Sequence, residues 1–161
     1  MNSSSLRQGL FFGANSGVIT TTGLLAGVSQ STNNPLVIII SLVSLAISDG
    51  ISEAYSLYIS KKAENPADSS NGPLLSFGGV ILTKMSIVLS FMLPFIFSRN
   101  LKYYKNLVWP LSWSILLLIV VDYKLIQLRD EKILDYLIPQ ILLILLVVLS
   151  TKFLGNYIST F

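Results

Sequence analysis

The sequence predicts an all-α integral membrane protein in which five transmembrane helices pack as a helical bundle. Of its 161 residues, 52% are hydrophobic and only 12% are charged, whereas about 25% of residues are charged in ordinary soluble proteins. Five segments are apolar over the length of about 20 residues that a helix needs to cross a bilayer. The polar connections between them are short, so we expect a single membrane domain over residues 1–161.

The five predicted spans follow one another along the chain. The first, at about residues 9–30, is rich in glycine and threonine. No convincing cleavage site follows it, so we expect a membrane helix and not a removed signal peptide. The second, at about 36–60, carries two acidic residues within an apolar sequence. The last three are predicted at about 73–98, 106–126 and 135–158.

Basic residues near the span ends predict the orientation of the chain. Arg7, Lys61 and Lys62 belong to the more basic side of the membrane, and Arg99 belongs to the other. Because cytosolic connections are enriched in lysine and arginine, we expect a cytosolic N-terminus. These charges do not distinguish an organellar membrane from the plasma membrane. Asp122 falls at the inner end of the fourth span, where a charge is expected to cost little.

The composition excludes several kinds of site. The chain has no cysteine and no histidine, which rules out disulfides, thiolate sites, imidazole ligands and histidine bases. A metal site would have to use carboxylate, amide, hydroxyl, carbonyl or thioether groups, which suit hard or borderline cations. The net charge of +3 comes without a long basic run, so no nucleic-acid partner is expected.

Asp49 and Glu53 are the most informative residues of the second span. Their spacing of four places them on one face of a helix. A carboxylate at the centre of a membrane helix costs about 2.5–3.5 kcal/mol, so this face must meet protein or a water-filled path. The same half of the helical wheel holds six serines: Ser41, Ser44, Ser48, Ser52, Ser56 and Ser60. A cation or proton pathway is the favoured interpretation, and a structural ion pair or a protonated pair is the alternative.

Lys84, in the middle of the third span, is the expected charge partner of these carboxylates. An antiparallel hairpin of spans two and three would bring it to the depth of Asp49, and the pair would offset much of the burial cost of both charges. A cation or proton could then compete with the ammonium group, although a purely structural pair fits equally well. Met85 could add a thioether ligand, but methionine in a membrane helix more often serves packing.

The first span combines small residues with neutral oxygen atoms. Gly13 and Gly17 form one small-xxx-small pair, and Gly23 and Gly27 form another. Such pairs let helices approach closely, which makes these glycines the best candidates for a dimer interface. Asn15 and its neighbour Ser16 could supply oxygen ligands near mid-membrane. Thr20, Thr21 and Thr22 could also supply oxygen ligands, but their hydroxyls are at least as readily expected to hydrogen-bond to the backbone of their own helix.

Two stretches carry a resemblance to a known family. Residues 12–31 read FGANSGVITTTGLLAGVSQS, and residues 47–64 read ISDGISEAYSLYISKKAE. The first resembles the pattern F-N-D-G-x-x-T-T-x-G-L-x-x-G of the first span of the vacuolar iron transporter family. The second resembles the end of that family's second span, with small residues, Y-x-S and a charged tail. The later spans agree in order and hydropathy.

The resemblance implies a five-helix protomer that works as a homodimer. It also implies a proton-coupled antiporter that moves Fe²⁺, and often Mn²⁺, out of the cytosol. In that family the path follows the dimer interface and is lined by the first two helices. Here the implied metal or proton pathway comprises the following residues: Asn15, Ser16, Asp49, Ser52, Glu53 and Met85.

The chain departs from the family pattern at several positions. Ser16 stands where the family has an aspartate, Glu53 where it has a methionine, and Leu57 where it has a glutamate. The glutamate-rich cytoplasmic helices between spans two and three are replaced by about a dozen residues. The chain therefore resembles a short, divergent member that lacks the cytoplasmic metal-binding domain and carries its carboxylates on the second span.

The sequence thus predicts a transporter of Fe²⁺ or Mn²⁺, with the metal as substrate and protons as the exchanged ion. It predicts no enzyme activity and no tightly bound cofactor. Two alternatives stay open. One is a non-transporting membrane partner or regulatory protein that retains the transporter fold, and the other is a proton-coupled carrier of another cation or small solute.

Overall fold

A computed structural model of the protein describes residues 2–64, 71–93, 107–127 and 133–159. All regular secondary structure in these residues is helical. The helices in chain order are α1 Asn2–Ser31, α2 Pro35–Glu64, α3 Gly72–Ser90, α4 Val108–Ile126 and α5 Ile133–Ile158. The predicted all-α architecture is confirmed, and a helix is found at each of the five predicted spans.

Four of the described helices, α1, α2, α3 and α5, are long and apolar enough to cross a membrane. This agrees with a multi-pass integral membrane protein. The remaining helix, α4, has 19 residues, and its role as a fifth transmembrane helix stays a prediction.

The helices differ from the predicted spans mainly at their ends. α1 begins at Asn2 and α2 continues to Glu64, because the polar residues there include no glycine or proline and the sequence Lys-Lys-Ala-Glu favours helix. α3 ends at Ser90, before the predicted end of the third span. The last part of that predicted span, from Pro94 onward, lies outside the described residues.

A short polar turn joins α1 to α2. The Asn34 side-chain oxygen Oδ1 accepts a hydrogen bond of 3.0 Å from the backbone N–H of Leu36, as expected of a residue that caps a helix N-terminus. Pro35 follows as the first helical residue, where its fixed φ is compatible with helix. Thr32 Oγ1 accepts a bond of 3.1 Å from the Asn34 N–H. These contacts explain why α2 begins here and folds back along α1.

α1 lies at the centre of the bundle and packs against each of the other four helices. Its first glycine pair faces α3. A Cβ atom added at Gly13 would lie 2.7 Å from the backbone oxygen of Val80, and one at Gly17 would lie 3.3 Å from a methyl group of Ile87. The absence of side chains at these two positions therefore lets α3 run close to α1.

The second glycine pair of α1 faces α5. A Cβ atom at Gly27 would lie 3.3 Å from the backbone oxygen of Thr151, and Gly23 meets a methyl group of Val147. The prediction that all four glycines form a dimer interface is therefore wrong for this structure. Their surface is covered by α3 and α5 of the same chain, so it is not available to a second copy.

Two apolar clusters fill the bundle, and α1 contributes to both. The first joins α1, α2 and α3 through Leu25, Ile38, Leu42, Ala46, Val88 and Phe91. The second centres on α1, α4 and α5 and contains Val18, Ala26, Leu107, Leu118, Ile144 and Val148. Since α1 contributes to both clusters, it holds the α2–α3 pair and the α4–α5 pair together.

Candidate functional site

Lys84 of α3 lies between the two carboxylates of α2. Its side chain is completely buried, and its Nζ atom lies 2.5 Å from Asp49 Oδ2 and 2.7 Å from Glu53 Oε2. Both distances are those of ion pairs, although the angles at Lys84 Nζ are not those of hydrogen bonds. One ammonium group therefore serves both carboxylates.

The local sequence explains how these charges meet. α2 and α3 are antiparallel neighbours, and α2 buries the small residues Ala46, Gly50 and Ala54 at a spacing of four. A Cβ atom added at Gly50 would have no atom within 4 Å, so space is left beside α2 near the depth of Asp49. On the other side of α3, the Cα atom of Lys84 would lie 3.5 Å from a Cβ added at Gly17. Gly17 of α1 thus leaves room for the backbone of α3 at Lys84.

Ser16 of α1 completes this cluster. Its hydroxyl donates a hydrogen bond of 2.6 Å to Glu53 Oε2, the same oxygen that contacts Lys84. Such a bond to a charged acceptor is stronger than one between neutral groups. Glu53 of α2 is therefore contacted by Ser16 of α1 and by Lys84 of α3. Both partners lie far from Glu53 in the sequence.

The cluster is enclosed on the Lys84 side and partly open on the side of the carboxylates. The Asp49 side chain is 30% exposed and that of Glu53 is 23% exposed, whereas Lys84 has no exposure. With both carboxylates ionised, two negative charges face one positive charge, which leaves a net charge of −1. Oxygen ligands with this charge favour a hard or borderline cation.

Three other predicted site residues are not joined to this cluster by a polar contact in the described part of the chain. Ser52 is exposed, and Asn15 and Met85 are each half-buried. The Asn15 Oδ1 atom is itself buried without a hydrogen-bond partner. The roles predicted for these residues stay predictions.

The serines of α2 form an exposed stripe beside the acidic pair. Ser48 donates its hydroxyl to the backbone oxygen of Ser44, and Ser56 donates to that of Ser52, at 2.7 and 2.8 Å. These four serines are all exposed. Their hydroxyls therefore do not surround the carboxylates, because their angular positions lie to one side of the contact with α3.

One buried polar pair was not anticipated from the sequence. The carboxyl group of Asp122 is completely buried and accepts a hydrogen bond of 3.2 Å from Gln140 Nε2. The interpretation of Asp122 as a solvated interfacial charge is therefore wrong, because α5 covers it. A signal was present: the two residues lie at similar distances from the connection between spans four and five, so a hairpin brings them to one depth.

The comparisons with known proteins identify one family. The model of the VIT family matches residues 8–71, which include most of α1, all of α2 and the residues Ser16, Asp49 and Glu53. This match supports membership of the VIT family. The VIT family is a family of membrane metal-ion transporters. No curated protein and no solved structure matches the chain.

The family match and the site lie in the same part of the molecule. Ser16 on α1 and both carboxylates on α2 fall within the VIT-family segment, whereas Lys84 lies beyond its end at residue 71. Across the described residues, no group of three or more acidic side chains is placed to hold a metal ion. One protomer thus offers two carboxylates and one hydroxyl at this site.

Proposed function

We propose that this protein exports a divalent metal ion, Fe²⁺ or Mn²⁺, from the cytosol in exchange for protons, and that it works as a homodimer. The contact of Lys84 with Asp49 and Glu53 supports this proposal most directly. Ionisable residues within membrane helices are rare and commonly mark ion or proton pathways. Here they lie on helices that are apolar enough to cross a membrane.

The proposed binding step is an exchange of cations at the carboxylates. In the empty site, the Lys84 ammonium neutralises part of the charge of Asp49 and Glu53. An incoming metal ion takes the place of the ammonium group, and Ser16 offers a further oxygen beside Glu53. Protonation of the carboxylates on the acidic side of the membrane then releases the metal ion.

A homodimer would increase the number of ligands at this site. Fe²⁺ and Mn²⁺ accept carboxylate oxygens, and one protomer supplies the carboxylates of Asp49 and Glu53 only. Both side chains retain partial exposure at the surface of α2. A second copy packed against this surface would bring another carboxylate pair close to the first.

The test is metal flux in liposomes that contain the purified protein, with and without a pH gradient. The double variant Asp49→Asn, Glu53→Gln is expected to reduce Fe²⁺ or Mn²⁺ flux at least about tenfold, since loss of about 1.4 kcal/mol of binding is already a factor of ten. The matched control is Asp135→Asn with Glu64→Gln, which makes the same two changes at exposed positions.

The outcomes of this experiment separate the proposed function from the alternatives. If the Asp49→Asn, Glu53→Gln variant transports as well as the wild type, these carboxylates do not bind the metal ion. If the wild type shows neither flux nor carboxylate-dependent metal binding by calorimetry, the protein is a non-transporting member of the family. Competition by organic cations, but not by Mn²⁺, would indicate a carrier of another solute.

A further inference from the structure

We propose that Asp122 and Gln140 form a proton-binding site, separate from the Lys84 cluster, in which Asp122 is held as a neutral carboxylic acid. The site lies between α4 and α5. It does not depend on the proposed function, because it follows from the contacts of these two side chains alone.

The hydrogen-bonding of the pair is incomplete without an additional proton. Gln140 Nε2 donates to Asp122 Oδ1. The remaining oxygen atoms, Asp122 Oδ2 and Gln140 Oε1, are both buried and have no hydrogen-bond partner. Both are acceptors when the carboxyl group is ionised. A proton on Oδ2 that is donated to Oε1 gives each atom a partner and closes a two-bond ring between acid and amide.

No charged group in the described residues offsets an ionised Asp122. α4 packs against α1 and α5. α1 carries no charged residue over 8–31, and Arg7 near its start is exposed; the charged residues of α5, Asp135 and Lys152, are exposed, as is Lys124 on α4 itself. α3 contributes only Lys84, whose Nζ atom contacts Asp49 and Glu53 instead.

Other titratable groups of these helices also leave Asp122 without a charge partner. Tyr123 of α4 is exposed, and Tyr136 of α5 is half-buried one turn before Gln140. The phenol group of a tyrosine supplies no positive charge that could offset a carboxylate. A buried carboxylate without a counter-ion is so unfavourable that the group takes up a proton instead.

α1 contributes a third unpartnered oxygen at the same depth. Thr22 is hydrogen-bonded to Ser114, and Val18 of α1 lies in the same apolar cluster as Leu118 of α4, so α1 and α4 are antiparallel neighbours. Asn15 precedes Thr22 by two helical turns and so lies on the same face. Asp122 follows Ser114 by a similar distance. The buried Asn15 Oδ1 atom is therefore close in depth to Asp122, and an amide carries no positive charge.

The proposal is tested by infrared spectroscopy of the full chain at neutral pH in a detergent without ester groups, because lipid ester carbonyls absorb where a protonated carboxyl group does. The wild type is expected to show the C=O stretching band of a protonated carboxyl group. Asp122→Asn should abolish this band, and Gln140→Leu should shift it because the acid loses its hydrogen-bond partner. The control variants Asp135→Asn and the double variant Asp49→Asn, Glu53→Gln should retain it.

Thermal unfolding of the same variants adds a second measurement. Asp122→Asn can replace the acid–amide ring by an amide–amide ring, so its midpoint should stay near that of the wild type. Asp122→Leu leaves both polar atoms of Gln140 unpartnered and should unfold at a lower temperature.

Absence of a protonated-carboxyl band in the infrared spectrum of the wild type, or its persistence in Asp122→Asn, would overturn the proposal. If the wild-type protein shows this band but transports no metal ion, only the proposed function is contradicted.

Discussion

The ammonium group of Lys84 has two carboxylate partners and no contact with solvent. Burying a single ammonium in a membrane bundle is unfavourable, and breaking a buried ion pair leaves an uncompensated charge. The ion pairs with Asp49 and Glu53 at 2.5 and 2.7 Å therefore fix which face of α2 meets α3. The residue that neutralises the site also helps to hold the two helices together.

This dual role predicts a specific pattern of stability at the residue scale. Lys84→Met should destabilise the protein, because Asp49 and Glu53 then repel each other without a counter-ion. We expect the lower part of the range of about 3–5 kcal/mol measured for broken buried pairs, since both carboxylates are partly exposed. The midpoint of thermal unfolding in detergent measures this change.

A triple variant provides the control for that measurement. Lys84→Met combined with Asp49→Asn and Glu53→Gln removes all three charges, and replacement of a whole buried ion pair is often close to neutral. The triple variant should therefore unfold near the wild-type temperature. If it is as unstable as Lys84→Met alone, the instability comes from packing of the lysine side chain and not from the unpaired carboxylates.

At the scale of elements, the glycines of α1 and α3 determine how closely the helices approach. Gly79 of α3 meets α1 so closely that an added Cβ would lie 2.9 Å from the backbone oxygen of Leu6. The adjacent residue, Gly78, has no atom within 4 Å of that position. Two neighbouring glycines of one helix thus face very different surroundings.

Alanine substitution at these two glycines should give opposite results. Gly79→Ala should destabilise the protein by about 1–3 kcal/mol, as overpacking does elsewhere, because backbone atoms of α1 cannot move aside. Gly78→Ala should be neutral or stabilising by about 0.5–1 kcal/mol, since alanine is the better helix former. Thermal unfolding of both variants in detergent checks the prediction, and equal midpoints would contradict the close α1–α3 contact.

The positions of the helices could be predicted well from hydropathy, whereas the helix against which each one packs could not. Apolar segments of sufficient length define where helices form, and Asn34 with Pro35 defines where α2 begins. Small residues on α1 indicate close packing but do not identify the partner. Gly13 packs against α3 and Gly27 packs against α5 of the same chain. A glycine pair allows close approach of a helix from the same chain as readily as of one from a second copy, so the sequence alone does not distinguish the two.

At the scale of the whole molecule, the central position of α1 limits where a second copy can bind. The surface of α1 is covered on several sides, while α2 keeps an exposed stripe of small residues that includes Ser44, Ser48 and Ser52. Their spacing of four suits close helix contact. We therefore expect the proposed homodimer to form through this face of α2, beside the partly exposed carboxylates.

Single cysteines test this arrangement, because the chain has none of its own. Ser48→Cys on α2 should give a disulfide-linked dimer in oxidised membranes, since equivalent residues near a two-fold axis come close together. Ser150→Cys makes the same change at an exposed position of α5 and should stay monomeric on a denaturing gel. Equal cross-linking of both variants would indicate random collision, and cross-linking of Ser150→Cys alone would place the interface on α5.

The sequence by itself determined the helical membrane class, the approximate positions of the helices and the placement of Asp49 and Glu53 on one face of α2. These follow from hydropathy and from a spacing of four, which are local properties of the chain. Only the tertiary structure decided that one lysine serves both carboxylates, that Ser16 joins them, and that α5 buries Asp122. Those contacts join residues far apart in sequence, and their existence depends on which helices are neighbours and how they are rotated.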